Sequence, residues 1–257
     1  MLFRPGRLHS LFMVLGLFPG LLFANDVVTV AVASNFAGTA ANLVTAFTEE
    51  TGVEIRLSPG STGKLYAQIL HGAPYDIFLA ADEQRPLLLE QGGHSVRGSR
   101  ATYAMGGLVL WSRDERLRGK DCHAVLRQGN YDHLALANPE TAPYGAAARQ
   151  FLVAEKLWES VSPNAVYGEN ISQTMQFVAS GNANLGFIAQ AQTTIHGLPA
   201  ATCSWPVPET RHAPIRQQLV LLARARDNQE AHRFLEFLKT PRAAEIMRQH
   251  GYRVLDR

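Results

Sequence analysis

The sequence has few charged side chains and few cysteines, and each scarcity excludes a class of function. Only 18% of the 257 residues are charged, and the formal net charge is +2. Such a chain has no basic surface for nucleic acid and no acidic tail. Its two cysteines, Cys122 and Cys203, make a poor metal site by themselves. They could form a disulfide in an oxidising compartment, but the sequence does not give their separation, so both states stay open.

The motifs of common hydrolytic and nucleotide-binding sites are also absent. The sequence contains no Gly-x-Ser-x-Gly segment and no His-Glu-x-x-His segment. Residues 60–65 approach a phosphate-binding loop, but Leu65 follows Gly63-Lys64 where serine or threonine is required. We therefore expect neither an enzyme nor a cofactor, and an exported hydrolase is the least favoured alternative.

One apolar run stands at the N-terminus. Arg4 and Arg7 precede the apolar residues 11–23, and the small residue Ala24 follows. This order is typical of a secretory signal peptide, and the run is shorter than the about 20 residues that span a bilayer. We expect cleavage after about Ala24 and a periplasmic protein; an uncleaved membrane anchor is the alternative. Cleavage leaves 22 basic and 22 acidic residues, so bulk charge would not attract an anion.

Beyond this segment, apolar strand-like runs alternate with amphipathic helix-like segments. The alternation predicts an α/β fold, in which parallel sheets carry helices on both faces. The predicted strands are residues 27–33, 54–57, 76–80, 103–111, 134–137, 166–167, 185–188 and 218–223, and the predicted helices are 38–51, 61–71, 83–91, 143–157, 172–179, 229–239 and 241–250.

Two features of this order predict two lobes. Residues 103–111 form a long apolar run, suited to a strand that passes between lobes. Residues 197–214 contain four prolines and little periodicity, which is typical of a loop or a crossing segment. We expect residues 25–107 and 207–257 in the first lobe and residues 108–206 in the second.

Four segments place small or polar residues between the end of a strand and the start of a helix. A helix N-terminus offers free N–H groups and a partial positive charge, so it can bind an anion without lysine or arginine. Each segment alone is also explained as an ordinary helix cap. Together, two in each half, they predict a small-anion site between the lobes. The segments are Ala33-Ser34-Asn35-Phe36, Gly60-Ser61-Thr62-Gly63, Ala142-Pro143-Tyr144-Gly145 and Glu169-Asn170-Ile171-Ser172.

At these segments the sequence resembles the periplasmic molybdate-binding proteins of ABC importers. The resemblance extends from Val27 to about Leu255 and implies a two-lobed type II periplasmic binding protein with a ligand cleft between its lobes. Its most specific stretches are Val32–Phe36, Gly60–Ile69, Gly72–Asp82, Asn138-Pro139, Leu185–Phe187 and Gly251-Tyr252.

The resemblance also implies which residues hold the oxyanion. They are Ser34 and Asn35 after the first strand, Ser61 and Thr62 at the second, Tyr144, and Ile171 through its backbone N–H. Ala189 stands where some members have a tyrosine, so this chain is similar to the members with an Ala-Pro-Tyr segment.

The implied ligand is molybdate or tungstate, which a monomeric binding protein delivers to the membrane permease of an ABC transporter. A binder of another small oxyanion, such as sulfate, phosphate or thiosulfate, is the first alternative and would have the same fold. A ferric-ion binder is another alternative, but it would need clustered tyrosine oxygens, and the sequence places only Tyr144 at the site.

Overall fold

The computed structural model describes residues 27–195, 197–198 and 200–254. The predicted signal peptide lies outside these residues. The described part contains ten strands in two five-stranded sheets. The strands are β1 Val28–Ala33, β2 Ile55–Gly60, β3 Ile77–Leu79, β4 Ala101–Gly106, β5 Leu108–Ser112, β6 Leu134–Ala137, β7 Val166–Gly168, β8 Leu185–Ala189, β9 Cys203–Pro206 and β10 Ile215–Leu221. The helices are α1 Ala37–Thr51, α2 Thr62–Leu70, α3 Gln84–Gln91, α4 Cys122–Gln128, α5 Pro143–Ala154, α6 Trp158–Val161, α7 Ile171–Ala179, α8 Gln229–Phe237 and α9 Pro241–Gln249.

Each sheet and its helices form one lobe, so the predicted α/β class with two lobes is confirmed. The first sheet has the order β2-β1-β3-β10-β4, and the second has the order β7-β6-β8-β5-β9. Helices α1, α2, α3, α8 and α9 belong to the first lobe, and α4 to α7 belong to the second. An extensive cluster of buried apolar side chains fills each lobe.

The sheets are mixed and not purely parallel, which the sequence pattern did not predict. In the first sheet β10 runs antiparallel to β3 and β4, and in the second β5 runs antiparallel to β8 and β9. Both of these strands follow a direct crossing from the other lobe. No α-helix lies between β4 and β5 or between β9 and β10, so β5 and β10 enter their sheets opposite to the βαβ strands.

The prediction of one long strand over residues 103–111 was wrong in detail. Strand β4 ends at Gly106 and β5 begins at Leu108, and the two strands belong to different sheets. A Cβ at Gly107 would lie 2.2 Å from Oε1 of Gln190, so glycine at this first crossing leaves room for the Gln190 side chain.

The proline-rich segment 197–214 contains a strand that the sequence pattern did not predict. Strand β9 pairs with β5 at the edge of the second sheet and ends at Pro206, and an edge is where a strand tolerates proline. A disulfide joins Cys203 in β9 to Cys122, the first residue of α4, with 5.6 Å between their Cα atoms. No helix of the described part is long and apolar enough to cross a bilayer.

Candidate functional site

A small cavity lies between the two lobes, where the carboxyl ends of several strands meet the starts of helices. All six oxyanion residues named from the sequence line this cavity; their roles as ligands stay predictions. The empty space among its lining atoms, including the part open to solvent, is about 180 Å³. Its lining residues are Ala33, Ser34, Asn35, Gly60, Ser61, Thr62, Ala142, Pro143, Tyr144, Asn170 and Ile171.

Three helices of eight or more residues begin at this cavity. They are α2 from the first lobe and α5 and α7 from the second. The first N–H groups of a helix have no acceptor within it, and they carry the positive end of the helix dipole. Pro143 at the start of α5 has no N–H, so the free donors there begin with Tyr144. The cavity therefore collects unpaired N–H groups from both lobes.

The hydroxyl of Ser61 is buried and has no hydrogen-bond partner. Ser61 precedes α2 and is 3% exposed, yet its side chain does not cap the helix. This outcome contradicts the reading of Ser61 as an ordinary helix cap. A buried hydroxyl without a partner costs free energy, which a ligand that accepts its proton would recover.

The hydroxyl of Thr62 accepts one hydrogen bond and can still donate one. Its Oγ1 accepts a hydrogen bond from the backbone N–H of Ala81 at 3.1 Å. That bond uses an oxygen lone pair and leaves the O–H group to donate. With the side chain only 1% exposed, the available direction is the cavity that Thr62 lines.

At the start of α7 the capping pattern leaves the N–H of Ile171 free. Oδ1 of Asn170 accepts from the N–H groups of Ser172 and Gln173, both at 3.0 Å. Ile171 is the first helical residue, so its own N–H has no acceptor in the helix. This geometry matches the backbone donor that was predicted at Ile171.

Ala189, which the resemblance places at a tyrosine position of some family members, does not line the cavity. Its N–H donates to Oε1 of Gln192 at 2.9 Å, and Nε2 of Gln192 donates to the carbonyl of Ile171 at 3.2 Å. Gln192 therefore ties the end of β8 to the start of α7. The sequence pattern did not single out Gln192, because its role depends on the packing of two distant elements.

The side chain of Asn35 is already engaged inside the first lobe. Its Nδ2 donates to Oε1 of Gln217 at 2.9 Å and to the hydroxyl of Tyr252 at 3.0 Å. These two bonds use both amide protons. What Asn35 can offer a solute is therefore its backbone N–H and not its side-chain N–H groups.

Gln217 connects the hydroxyl groups of three tyrosines that are distant in sequence. Tyr103 donates to Oε1 of Gln217, Nε2 of Gln217 donates to Tyr144, and Asn35 links the same oxygen to Tyr252. Burial raises the pKa of each phenol above its ordinary value. All three tyrosines therefore keep their protons at neutral pH. Only Tyr144 of the three lines the cavity, so the cluster does not present several phenol oxygens to a ferric ion there.

Direct hydrogen bonds join the lobes around the cavity. The N–H of Gly63 donates to the carbonyl of Thr141 at 2.8 Å, and Oγ of Ser172 donates to the carbonyl of Ser34 at 3.0 Å. A cross-lobe ion pair between Lys64 and Glu169 lies further out, with both side chains about half exposed. The cavity is thus closed by contacts from both lobes.

No charged residue is among the described residues that line the cavity. The described part of the chain also holds no group of three or more histidine, cysteine, aspartate or glutamate side chains that could bind a metal cation. The donors at the cavity are neutral N–H and O–H groups, which suit a small dehydrated anion held between two lobes. Fold and cavity together define a two-lobed solute-binding protein.

Comparison with known proteins assigns the family. The family model described as bacterial extracellular solute-binding protein matches residues 28–253, and this chain belongs to that family. It is a binding protein and not an enzyme.

The relatives at high identity carry one name. The chain is 44% identical to the molybdate-binding protein ModA of Azotobacter vinelandii over 225 residues, which is 88% of this chain and 89% of that protein. It is 42% identical to ModA of Rhodobacter capsulatus over 243 residues, covering 95% and 94% of the two chains. The solved structure of the Azotobacter vinelandii periplasmic molybdate-binding protein superposes with a TM-score of 0.83 at 35% identity, covering 89% of this chain and all of that one.

Proposed function

We propose that the protein binds molybdate, or the similar ion tungstate, in the cavity between its lobes and delivers it to the permease of an ABC importer. The observation that carries the proposal is the buried, unpartnered hydroxyl of Ser61 on an uncharged cavity where three helices begin. Relatives at 44% and 42% identity are named molybdate-binding proteins, which supports the same ligand here.

The proposed ligand set follows from the donors around the cavity. Ser61 and Thr62 would donate through their hydroxyls, Tyr144 through its phenol, and Ile171 through its backbone N–H. Asn35 would donate through its backbone N–H, because its amide protons are used elsewhere, and Ser34 lines the cavity beside it. Both lobes would contribute, so binding would favour the closed arrangement.

The absence of carboxylates from the cavity lining bears on the choice among anions. Phosphate at neutral pH carries at least one proton, and a site that accepts it needs an acceptor for that proton. Molybdate and sulfate carry none at neutral pH, and the lining offers mainly donors. Between these two ions, cavity size would decide, since molybdate is the larger.

A calorimetric titration tests the proposal. The mature protein, expressed without residues 1–24, is titrated with molybdate, tungstate, sulfate and phosphate at matched ionic strength and pH. We expect molybdate and tungstate to bind at least about a hundredfold more tightly than sulfate, a difference of about 2.7 kcal/mol. Tighter binding of sulfate, or no binding of any of the four ions, would overturn the proposal.

The place of the protein in the cell belongs to the same proposal. Residues 1–24 would direct export and be removed after about Ala24, and the disulfide between Cys122 and Cys203 is consistent with an oxidising compartment. The segments 25–107 with 207–257, and 108–206, would be the two lobes that the permease contacts when it receives the ion. N-terminal sequencing of the protein from a periplasmic extract tests the cleavage site.

A further inference from the structure

Gln217 lies behind the cavity, and its side chain is fully buried. It does not line the cavity, yet it contacts two residues that do, Asn35 and Tyr144. Its place depends on an irregularity in the first sheet. Gln217 pairs with Ala104 and Gln218 pairs with Thr102, so Tyr103 lies in a bulge and its hydroxyl reaches Gln217 at 3.1 Å.

The orientation of the Gln217 amide follows from a fixed acceptor. The hydroxyl of Tyr252 donates to the carbonyl of Asn35 at 2.8 Å, and a carbonyl can only accept. Because the Tyr252 proton is used in this bond, the Tyr252 oxygen can only accept a further one. The Asn35 atom that lies 3.0 Å from it must therefore be the donor Nδ2. The same Nδ2 donates to Gln217 at 2.9 Å, which requires Oε1 of Gln217 on that side.

With Oε1 fixed toward Asn35, the Nε2 group of Gln217 must face Tyr144. It donates to the Tyr144 hydroxyl at 3.2 Å, and that bond crosses from the first lobe to the second. The hydroxyl also lies against Gly106, where a Cβ would come within 2.1 Å of it. The Tyr144 oxygen thus accepts a hydrogen bond from Nε2 of Gln217. Because this amide nitrogen can only donate, the phenol proton of Tyr144 must point elsewhere.

We propose that Gln217 is a positioning residue that makes Tyr144 a hydrogen-bond donor toward the bound oxyanion. The inference rests on the proposed function and extends it to a residue that does not touch the solute. A phenol has one proton and can offer an anion either that proton or a repelling lone pair. In the closed arrangement the bond from Gln217 selects the first state, so the phenol proton faces the solute. The raised pKa of the buried Tyr144 keeps the proton in place.

A double-mutant cycle on molybdate affinity tests this role. Gln217→Met keeps the size of the side chain and removes its donor, and Tyr144→Phe removes the hydroxyl. We expect each single variant to bind molybdate roughly tenfold more weakly than the wild type. In the Tyr144→Phe background, Gln217→Met should cost no more than about twofold, because the group it acts through is gone. Gln217→Met could also change affinity through Asn35. That change would be equal with tyrosine or phenylalanine at position 144, so it would cancel from the coupling between the two substitutions.

Gln218→Met is the matched control. Gln218 is the neighbouring buried glutamine, but it bonds to Thr102 and Arg100, away from the cavity. It should lower the melting temperature of the ligand-free protein and leave the molybdate affinity unchanged. If Gln217→Met does not fold, Gln217→Leu provides a second cycle, since it is also uncharged and also removes the donor.

The outcomes separate this proposal from the function on which it rests. If the wild type does not bind molybdate, the proposed function fails. If the wild type binds and the Gln217 substitution costs the same factor with tyrosine or phenylalanine at position 144, the proposed function stands and the positioning role of Gln217 is wrong.

Discussion

The backbone N–H of Gly63 in the first lobe donates a 2.8 Å hydrogen bond to the carbonyl of Thr141 in the second. This contact needs a residue without a side chain at position 63. A Cβ there would lie 2.9 Å from the Cα of Thr141 and 3.0 Å from its carbonyl oxygen, and both are backbone atoms that cannot turn aside. Closure of the lobes over the cavity therefore depends on how closely two backbones approach.

We expect Gly63→Ala to weaken solute binding without destabilising the ligand-free protein. The added methyl group would obstruct only the closed arrangement, and overpacking of this kind costs about 1–3 kcal/mol, or roughly ten- to a hundredfold in affinity. In the separated lobes alanine would favour helix α2 over glycine. Calorimetry with molybdate and a thermal melt of the free protein measure the two effects.

Gly38→Ala is the control for Gly63→Ala. Gly38 is also in the first turns of a helix, α1, but nothing lies within 4 Å of a Cβ built there. The Gly38→Ala protein should have a more stable helix α1 and an unchanged affinity for molybdate. Equal affinities of the two alanine variants would show that the approach of Gly63 to Thr141 does not limit binding.

We expect Ser61→Ala to weaken solute binding without lowering the stability of the protein. Most substitutions of buried side chains, in contrast, lower stability. The Ser61 hydroxyl has no partner to lose, so its removal should leave the free energy of unfolding of the ligand-free protein unchanged or raise it by up to about 1 kcal/mol. Molybdate affinity should fall roughly tenfold, because one donor to the anion disappears. Urea unfolding and calorimetry give the two quantities.

Ser99→Ala provides the comparison for Ser61→Ala. The Ser99 hydroxyl donates to the carbonyl of Val96 at 2.7 Å and accepts from the N–H of Leu221 at 3.1 Å. Its removal should therefore destabilise the protein and spare the affinity. A large loss of stability in Ser61→Ala would mean that its hydroxyl has a partner in solution and is not held for a ligand.

Much of the fold could be predicted because local patterns carry it. The sequence alone reveals the apolar run of β1 and the glycine, Gly52, that ends α1 in a left-handed conformation. It also reveals the strand-to-helix segments that line the cavity. The mixed character of the sheets could not be predicted, because strand direction depends on where the chain crosses between lobes. Strand β9 could not be predicted because the segment is rich in proline, and a strand tolerates proline only at the edge of a sheet.

The same distinction applies to the site. Ser61 and Tyr144 could be named because each lies in a short, recognisable segment. Gln217 could not, because a glutamine beside Gln218 in the polar first half of a strand has no local signal. Its contacts to Asn35 and Tyr144 span 182 and 73 residues and depend on the bulge at Tyr103. Side chains that act through other side chains become visible only when the packing is known.

The disulfide should stabilise the second lobe without affecting the affinity for the solute. Cys122 and Cys203 are 81 residues apart, and closing a loop of that length stabilises a protein by about 2–5 kcal/mol. Both cysteines belong to the second lobe, and neither lines the cavity. The double variant Cys122→Ala, Cys203→Ala should unfold at lower urea and bind molybdate as the wild type does. A changed affinity would indicate that the bridge restrains the lobes relative to each other.

Asp114 should give the protein an acid-sensitive contribution to stability. Hydrogen bonds from the Arg116 side chain, with further ones from the Arg116 N–H and Asn184, lower the pKa of Asp114 from 3.8 to about 2. A group whose pKa is lowered on folding stabilises the native state above its unfolded pKa, and that stabilisation disappears as the pH falls toward the folded value. We therefore expect Asp114→Asn to cost about 1 kcal/mol at pH 6, a figure reduced for solvent screening.

The cost of Asp114→Asn should shrink between pH 4 and pH 2, because protonation removes the same charge from the wild type. Urea unfolding of both proteins at several pH values measures the difference. Asp132→Asn is the control, since Asp132 pairs with the same Arg116 but its side chain is 64% exposed, against 15% for Asp114. An exposed pair contributes little, so this variant should differ from the wild type by less than about 0.5 kcal/mol throughout. A cost of Asp114→Asn that stays constant down to pH 2.5 would contradict a lowered pKa and assign the effect to geometry alone.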